Sequence, residues 1–370
     1  MTRALAAAVA VLTFAPAAVA SPRVAIFYYP WYGTPARDGG YVHWNQADHS
    51  PPQDIASRFY PARGAYSSSN PAVVAAQMDD LRTAHVGEVV VSWWGRGSAE
   101  DARLALVTNA ARERGIDVAV HVEPYPGRTI ETVAADIAYL RALGIDDFYV
   151  YEPREFTAAE WLPLTASVVG ARLFAETARV AFAAQAGFSG VYTYDIVTYG
   201  GWMFRRFCGE AHAAHLLCAP SVGPGFDSSA ISATPEIKPR GGGRTYDRMW
   251  TAALRSSPDL VTITSYNEWG EGTQIEPAGC GRGLFPYRNY DGTYGLRGRA
   301  AEHAYVRRTA YWVNRFVPRS VMLPRFSVAS TKPKAALGRG QGWLPWQGRG
   351  WTLAPRDRGR EAGKYRRAGH

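Results

Sequence analysis

Eight short runs rich in β-branched and aromatic residues alternate with helical patterns along this chain, and the alternation predicts an α/β fold, a (β/α)8 TIM-type barrel. At 370 residues, the chain is long enough to bury the core of one such barrel. A doubly wound open sheet is the alternative, but no Gly-rich phosphate fingerprint follows the first strand. The expected strands are residues 24–29, 88–93, 118–123, 147–151, 171–176, 190–194, 216–221 and 260–265.

Helical periodicity fills most of the gaps between these strands. The second helix begins behind a Ser98-x-x-Asp101 capping signal. Two segments break the repeat. One is a long first βα loop, residues 30–70, which we expect to line a site, and the other is a basic C-terminal tail, residues 327–370, which we expect to be flexible. The expected helices are residues 71–84, 101–114, 132–143, 202–215, 246–255 and 302–317.

The start of the chain has the form of a cleavable signal peptide. Arg3 precedes the apolar run 4–15, and Ala18-Val19-Ala20 forms a small-residue cleavage site. The run is too short to span a membrane, and a buried N-terminal helix is the alternative. We therefore expect an exported protein, secreted or held in the cell envelope. Its regions would be a signal peptide at 1–20, a barrel domain at 21–326 and the tail at 327–370.

The positive charge of the chain is concentrated in that tail. The formal net charge is +9, but residues 327–370 carry ten Lys or Arg against Asp357 and Glu361. The rest of the mature chain is therefore close to neutral, so the basicity does not indicate a nucleic-acid ligand. The tail itself offers a surface for contact with anionic cell-wall polymers.

The three cysteines are too few for a disulfide scaffold and match no zinc pattern. Cys208 and Cys218 would form a bridge, leaving Cys280 unpaired, if a helix turns back onto a strand between them. Alternatively, all three are small buried residues. The sequence has no metal-ligand spacing and no nucleophile-elbow serine, so we expect neither a metal nor a cofactor.

The strongest indication of function is the segment Asn267-Glu268-Trp269-Gly270-Glu271, which follows the last expected strand. Breaking a glycosidic bond requires one group to protonate the leaving oxygen and another to handle the opposite charge, and paired carboxylates do both. Glu268 and Glu271 form such a pair at the rim where barrel strands converge. A surface turn with ordinary solvated glutamates is the alternative.

Aromatic and acidic residues also follow the other expected strands. Because basic residues do not cluster there, the rim favours a neutral polyhydroxylated ligand whose C–H faces stack on rings. Structural alternatives remain: Trp31, Trp93 and Trp94 would also suit barrel packing, and His121 a buried core. Glu123 is harder to explain structurally, because a carboxylate ending an apolar strand is costly unless it is paired.

Nine motifs, collinear from about residue 24 to residue 278, are the segments 27–32, 41–45, 51–57, 59–68, 92–94, 121–125, 192–194, 220–225 and 267–276. They include His121-Val122-Glu123-Pro124-Tyr125 and the segment from Asn267 through Gln274 to Glu276. This series resembles glycoside hydrolase family 99, the endo-α-1,2-mannosidase family.

The resemblance implies a (β/α)8 barrel that cleaves internal α-1,2-mannosidic bonds with retention and without a metal. It further implies a 1,2-anhydro sugar intermediate formed by the sugar's own 2-hydroxyl. Glu268 would draw the proton from that hydroxyl, while Glu271 would protonate the leaving oxygen and later activate water. The catalytic residues would then be Glu268 and Glu271.

By the same resemblance, Glu123 would bind donor hydroxyls, Tyr194 would lie near the reacting ring and Trp93 would stack in the donor subsite. The other motif residues expected to bind substrate are Tyr29, His43, Tyr125, Tyr192 and Asn267. We expect a monomer that acts on an α-linked mannan or a mannose-containing oligosaccharide, without nucleic acid.

The chain departs from the family pattern at Gly270, where His is usual, at Phe226, where Tyr is usual, and near Ser232, where Arg is expected. These positions would line the cleft, so the sugars beyond the broken bond are open. The alternatives are a hydrolase of another α-linked glycan and a non-catalytic glycan-binding protein of the cell envelope.

Overall fold

The computed structural model describes residues 24–279 and 287–316. The expected signal peptide, Cys280 and the expected tail lie outside these residues. Within the described ranges, no helix has the length and apolarity needed to cross a membrane.

Parallel strands form the centre of the fold. The strands are β1 (Val24–Tyr28), β2 (Glu88–Trp93), β3 (Asp117–Val122), β4 (Asp147–Val150), β5 (Arg172–Glu176), β6 (Gly190–Tyr192), β7 (Leu217–Ala219), β8 (Ser221–Val222), β9 (Phe226–Asp227), β10 (Ile237–Lys238) and β11 (Val261–Ile263). Their order in the main sheet is β7-β6-β5-β4-β3-β2-β1-β11-β8. Only Pro220 separates β7 from β8, so one stretch of chain pairs with β6 and with β11 and nearly closes the barrel. The predicted barrel is confirmed.

Helices cover the outside of this barrel. All six expected helices are present, with ends that shift by a few residues, and the last is split at His303. Three further helices, α1, α5 and α6, were not expected, because α1 and α6 are short and α5 contains Pro163. The helices are α1 (Pro35–Asp38), α2 (Pro71–Thr83), α3 (Ala99–Arg112), α4 (Ile130–Ala142), α5 (Ala158–Ser167), α6 (Val180–Gln185), α7 (Phe204–Ala213), α8 (Arg244–Arg255), α9 (Arg299–Glu302) and α10 (Ala304–Val313).

Aromatic rings fill the interior of the barrel. Phe27, Tyr149, Phe174 and Tyr192 pack there with small residues such as Ala119, while alternate strand residues pack against the helices. Tyr149 and Phe174 stack with ring centroids 4.8 Å apart. Because the interior is filled, a ligand site can form only at a mouth of the barrel.

The long first loop folds back over the carboxyl-terminal mouth. Arg103 of α3 holds it by donating to the Pro30 carbonyl at 2.7 Å and to Asp38 at 2.8 Å. Within the loop, Trp44 Nε1 donates to the Tyr66 carbonyl at 2.8 Å. These bonds fix the loop at the end where the strands converge.

A disulfide joins Cys208 of α7 to Cys218 of β7, with their Cα atoms 5.2 Å apart. The chain turns back from α7 onto β7 between them. Of the two alternatives from the sequence, the one in which Cys208 and Cys218 form a disulfide is therefore the one found.

Candidate active site

The acid pair lies on a loop that is closed by its own hydrogen bonds. Ser265 Oγ accepts from the Glu268 backbone N–H at 2.8 Å and bonds to Thr273 Oγ1 at 2.8 Å. The Ser265 backbone N–H donates to the Thr273 carbonyl at 3.1 Å, and the Ile275 N–H donates to the Ser265 carbonyl at 3.0 Å. These hydrogen bonds hold the backbone between Glu268 and Ile275 in a single conformation.

Asn267 fastens this loop to the end of β1. Its Oδ1 accepts from the Tyr29 backbone N–H at 2.8 Å, and its Nδ2 donates to the Tyr29 carbonyl at 2.9 Å. Tyr32 extends the clamp: its hydroxyl donates to the Asn267 carbonyl at 3.0 Å and accepts from the Trp269 N–H at 3.1 Å. Asn267 is fully buried and both its amide atoms are used, so it positions the loop.

Glu276 anchors the far end of the loop. Its carboxylate is fully buried and accepts from Tyr66 at 2.7 Å, Trp269 Nε1 at 2.9 Å, Gln77 at 2.9 Å and Arg63 at 3.2 Å. Burial raises the pKa of Glu276, and the Arg63 guanidinium and the neutral donors act against that rise. The donors come from the first loop, α2 and the acid-pair loop itself, so one carboxylate ties three segments together.

A small hairpin of β9 and β10 supports the loop from the other side. The Asp227 N–H donates to the Glu271 carbonyl at 2.7 Å, and Arg240 donates to the Gly272 and Gln274 carbonyls at 2.9 and 2.7 Å. Gly272 has a φ of +63°, and a Cβ atom there would lie 3.2 Å from backbone atoms of Asp227. Position 272 therefore requires glycine.

Glu268 is buried, with 6% of its surface exposed. Burial raises its pKa well above the usual range, Glu271 and Glu123 raise it further, and the backbone N–H groups of Glu271 and Gly270 lower it. Among the described residues, Glu268 Oε2 has no hydrogen-bond partner. A buried carboxylate oxygen without a partner is costly, and it can accept a proton or a hydroxyl from a ligand.

Tyr29 and Tyr194 join their hydroxyls beside the acid pair. Burial raises the pKa of Tyr29 well above its usual range, and the Glu123 and Glu268 carboxylates raise it further. Burial likewise raises the pKa of Tyr194, with contributions from Tyr29 and Glu271. Glu123 and the acid pair, from two distant parts of the chain, therefore lie around two neutral phenols.

Glu123 is held in place from the barrel interior. Ser92 Oγ donates to its Oε1 at 2.8 Å, and His121 Nδ1 lies 2.8 Å from the same oxygen but out of line for a hydrogen bond. His121 Nε2 bonds to the Tyr192 hydroxyl at 2.8 Å, and the His121 ring stacks on Tyr194. His121 and Tyr192 are thus fully buried supports beneath the mouth.

Trp93 and Tyr125 were predicted to contact the substrate, but the structure places the Trp93 ring and the Tyr125 hydroxyl against helices. Trp93 is fully buried on the outer face of the barrel, where its Nε1 donates to Asp101 of α3 at 2.9 Å. Strand alternation explains this, because Ser92 points inward. The Tyr125 hydroxyl donates to Asp136 of α4, which leaves only its ring for other contacts.

Trp31 and His43 form an aromatic wall at the mouth. Their rings stack 4.3 Å apart with planes 9° from parallel, and Trp31 also packs on Tyr29 at 4.6 Å. Burial lowers the pKa of His43 to about 4, and Arg103 lowers it too. The wall is therefore uncharged at neutral pH, as suits a sugar face.

The mouth also holds Trp94, for which barrel packing was the alternative, and two residues that the sequence analysis did not propose as site residues, Glu176 and Tyr151. Trp94 follows β2 and is half-buried, with no partner for its Nε1 among the described residues. Glu176 ends β5, and burial raises its pKa to about 7 while the Tyr194 backbone N–H lowers it. Tyr151 follows β4, and Glu176 and Glu271 add to the rise of its pKa caused by burial.

The three departures from the family pattern lie around the β9–β10 hairpin. Phe226 is in β9, and Ser232 is in the loop between the two strands. A Cβ atom at position 270 would lie 3.1 Å from Ile231 Cδ1 and 3.3 Å from Glu268 Oε1. Ile231 of the hairpin loop therefore occupies the space beside Gly270.

A parallel barrel with an acid pair at its mouth, set among phenols and indoles, defines the active-site type of a glycoside hydrolase. No group of three or more His, Cys, Asp or Glu in the described ranges could hold a metal ion. The carboxylates can exchange protons with a hydroxylated ligand, and the rings can stack on it.

Comparisons with known proteins agree with this class. The family model for glycosyl hydrolase family 99 matches residues 21–318. The glycoprotein endo-alpha-1,2-mannosidase of Rattus norvegicus is 32% identical over 312 residues, 68% of this chain and 67% of that protein. The glycoprotein endo-alpha-1,2-mannosidase-like protein of Homo sapiens is 32% identical over 329 residues, 71% of each chain.

A solved structure is also similar. The GH99 endo-alpha-mannosidase from Bacteroides thetaiotaomicron is 30% identical, with a TM-score of 0.70, and the match covers 79% of this chain and 97% of that one. The chain belongs to glycosyl hydrolase family 99 and is a glycoside hydrolase. The non-catalytic alternative is therefore set aside.

Replacing Glu276 with Gln should disrupt the hydrogen bonds that anchor the acid-pair loop. The change removes the buried charge that faces Arg63, so we expect the free energy of unfolding to fall by about 3 kcal/mol and turnover to fall with it. Urea denaturation measures the first effect. Arg206→Gln, which breaks an exposed pair with Glu210, is the control and should have no measurable effect. A Glu276→Gln variant as stable as the wild type would contradict the anchor role.

Glu268→Gln should stabilise the protein at neutral pH. Because the pKa of Glu268 is raised in the folded state, the native chain holds this proton more tightly than the unfolded chain does. The stability from that proton is full below the unfolded pKa of about 4.3 and is lost as pH rises through the folded pKa. The variant avoids this loss. Its free energy of unfolding, measured as a function of pH, should therefore rise above that of the wild type once the pH exceeds the unfolded pKa of about 4.3. If the free energies of unfolding of the variant and the wild type instead vary with pH in parallel, burial does not destabilise the Glu268 carboxylate. Glu210→Gln, at an exposed position, is the control.

Proposed function

We propose that this enzyme hydrolyses mannosidic bonds, and in particular internal α-1,2-mannosidic bonds of a mannan or mannose-containing oligosaccharide, with retention of configuration. The family membership and the endo-alpha-mannosidase activity for which its relatives are named support mannosidic specificity. The single observation that carries the mechanism is the buried Glu268 Oε2 without a partner at the mouth of the barrel.

In the first step, the Glu268 carboxylate takes the proton of the sugar 2-hydroxyl, and O2 attacks C1. The bond from C1 to the leaving oxygen breaks, and that oxygen takes the proton of Glu271. The product is a 1,2-anhydro sugar. In the second step, Glu271 takes a proton from water, the water oxygen attacks C1, the C1–O2 bond opens and O2 recovers its proton from Glu268. Two inversions at C1 give net retention.

The electrostatics of the site suit these roles. A hydroxyl is a weak acid, and the raised pKa of Glu268 makes its carboxylate a stronger base than an ordinary glutamate. Glu271 is half-buried on the same loop, where water can reach it. Glu123 and the phenols of Tyr29 and Tyr194 remain as hydrogen-bonding groups for sugar hydroxyls around the acid pair.

Another α-linked glycan is the second candidate substrate. One observation favours it: Gly270, Phe226 and Ser232 differ from the family pattern, and Ile231 covers the space beside Gly270. Because these residues surround the hairpin beside Glu271, they would alter which sugar follows the broken bond and leave the acid pair unchanged. Sizing the products from α-mannans and α-glucans separates the two candidates.

We also propose that the protein is exported. The N-terminal segment has signal-peptide form, and the disulfide between Cys208 and Cys218 is of a kind that persists in oxidising compartments.

Glu271→Gln should lower turnover of an unactivated α-mannan at least about a hundredfold while ligand binding stays measurable, because the leaving oxygen loses its proton donor. Glu268→Gln should lose turnover to a similar extent, and azide should not rescue it. Release of reducing ends and equilibrium binding measure these effects, with Glu210→Gln as an exposed control. Unchanged turnover would refute the roles, and a covalent glycosyl adduct on Glu268 would refute participation of the 2-hydroxyl.

Expression of the full chain should yield an exported protein that begins near Ser21. N-terminal sequencing of the exported fraction measures this. An uncleaved chain retained inside the cell would contradict the proposal.

A further inference from the structure

A cavity beside the β9–β10 hairpin takes no part in the proposed mechanism. Its volume is about 680 Å³, within the range of roughly 300–1,000 Å³ that is usual for small-molecule sites. Its walls come from the turn Gly201–Met203, from β10 and from the first turns of α8. These segments follow the carboxyl ends of β6 and β8, so the cavity lies at the same end of the barrel as the acid pair.

The cavity wall is strongly cationic. Lys238, Arg244 and Arg248 line it, and none of the lining residues in the described part of the chain is acidic. Among the described residues, neither arginine forms an ion pair, and Arg248 reaches only Thr245 Oγ1, at 3.5 Å. Lys238 Nζ donates to the Ile196 carbonyl, which leaves further ammonium protons for a ligand. Burial lowers the pKa of Lys238, Asp195 acts against that fall, and Arg248 adds to it, so Asp195 is the acidic group that influences this cationic wall.

An exposed indole stands at the edge of the same cavity. Trp202 has 84% of its surface exposed, although a tryptophan usually buries most of its ring. Two glycines hold it there: a Cβ atom at position 201 would lie 2.5 Å from Ala252 Cβ, and one at position 200 would lie 2.9 Å from Trp202 Cδ1. The turn therefore sits directly against α8 and presents an aromatic face on which a sugar can stack.

The β9–β10 hairpin connects the cavity to the active site. In this hairpin, Lys238 pairs with Phe226, and the neighbouring Asp227 N–H donates to the Glu271 carbonyl at 2.7 Å. One strand of the hairpin thus forms cavity wall while the other holds the acid-pair loop. A glycan bound at the acid pair can extend across this hairpin.

We propose that the cavity binds an anionic saccharide unit, a sugar carrying a phosphate or a carboxylate, that belongs to the glycan cleaved at the acid pair. The indole would stack on the sugar, and the three cations would bind its anionic group. The inference rests on the proposed function for the cleavage step, whereas binding at the cavity does not require catalysis.

Calorimetric titration of the full chain at low salt tests this with mannose 6-phosphate, glucuronate, inorganic phosphate and mannose. At least one anionic sugar should bind tenfold or more tightly than phosphate or mannose. That affinity should fall at least tenfold in Trp202→Ala and in the double variant Arg244→Gln with Arg248→Gln. It should be unchanged in Arg255→Gln, at the other end of α8, and in Glu271→Gln, which separates this binding from the proposed cleavage.

The control readout is turnover of a neutral α-mannan, which the Trp202 and arginine variants should leave unchanged. Three results would overturn the proposal: no binding of either anionic sugar, equal binding of phosphate with no effect of Trp202→Ala, or full affinity in the double arginine variant. If neither the wild type nor any variant turns over α-mannan, while the wild type still binds the anionic sugar, only the proposed cleavage is refuted.

Discussion

The buried carboxylate of Glu276 is the interaction on which the rest of the site depends. It accepts four hydrogen bonds, including one from Trp269 within the acid-pair loop and one from Arg63 of the first loop. A charge without water must be matched by donors in fixed positions, because an unmatched buried charge costs several kcal/mol. The requirement to satisfy Glu276 therefore fixes α2, the first loop and the acid-pair loop relative to one another.

That rigidity allows Glu268 to remain buried with an oxygen that has no partner. The clamp from Asn267 to Tyr29 and the bond from the Glu268 N–H to Ser265 hold the loop backbone in place. The loop therefore cannot easily rotate to expose the Glu268 carboxylate to solvent. Within one segment of the chain, Glu276 is therefore matched by four donors, whereas Glu268 keeps an oxygen without a partner among the described residues. Such a division is common where a catalytic base must be more basic than an ordinary glutamate.

The barrel could be predicted from the sequence because strand periodicity is a local pattern, and the acid pair could be proposed because both glutamates lie in one short motif. Strand alternation would also have corrected Trp93: Ser92 points inward to Glu123, so Trp93 must point outward. The same rule places Glu176 inward, two residues after Phe174. The role of Asn267 was beyond local patterns, since its partner Tyr29 is 238 residues away in the chain.

The proposed mechanism requires Glu268 to take the proton of the sugar 2-hydroxyl. The most direct measurement compares an α-1,2-linked mannose substrate with its analogue lacking the 2-hydroxyl on the cleaved sugar. This mechanism predicts that the analogue binds and competes with the substrate but is not cleaved, since no 1,2-anhydro sugar can form. Cleavage of the analogue at a rate near that of the parent would contradict it.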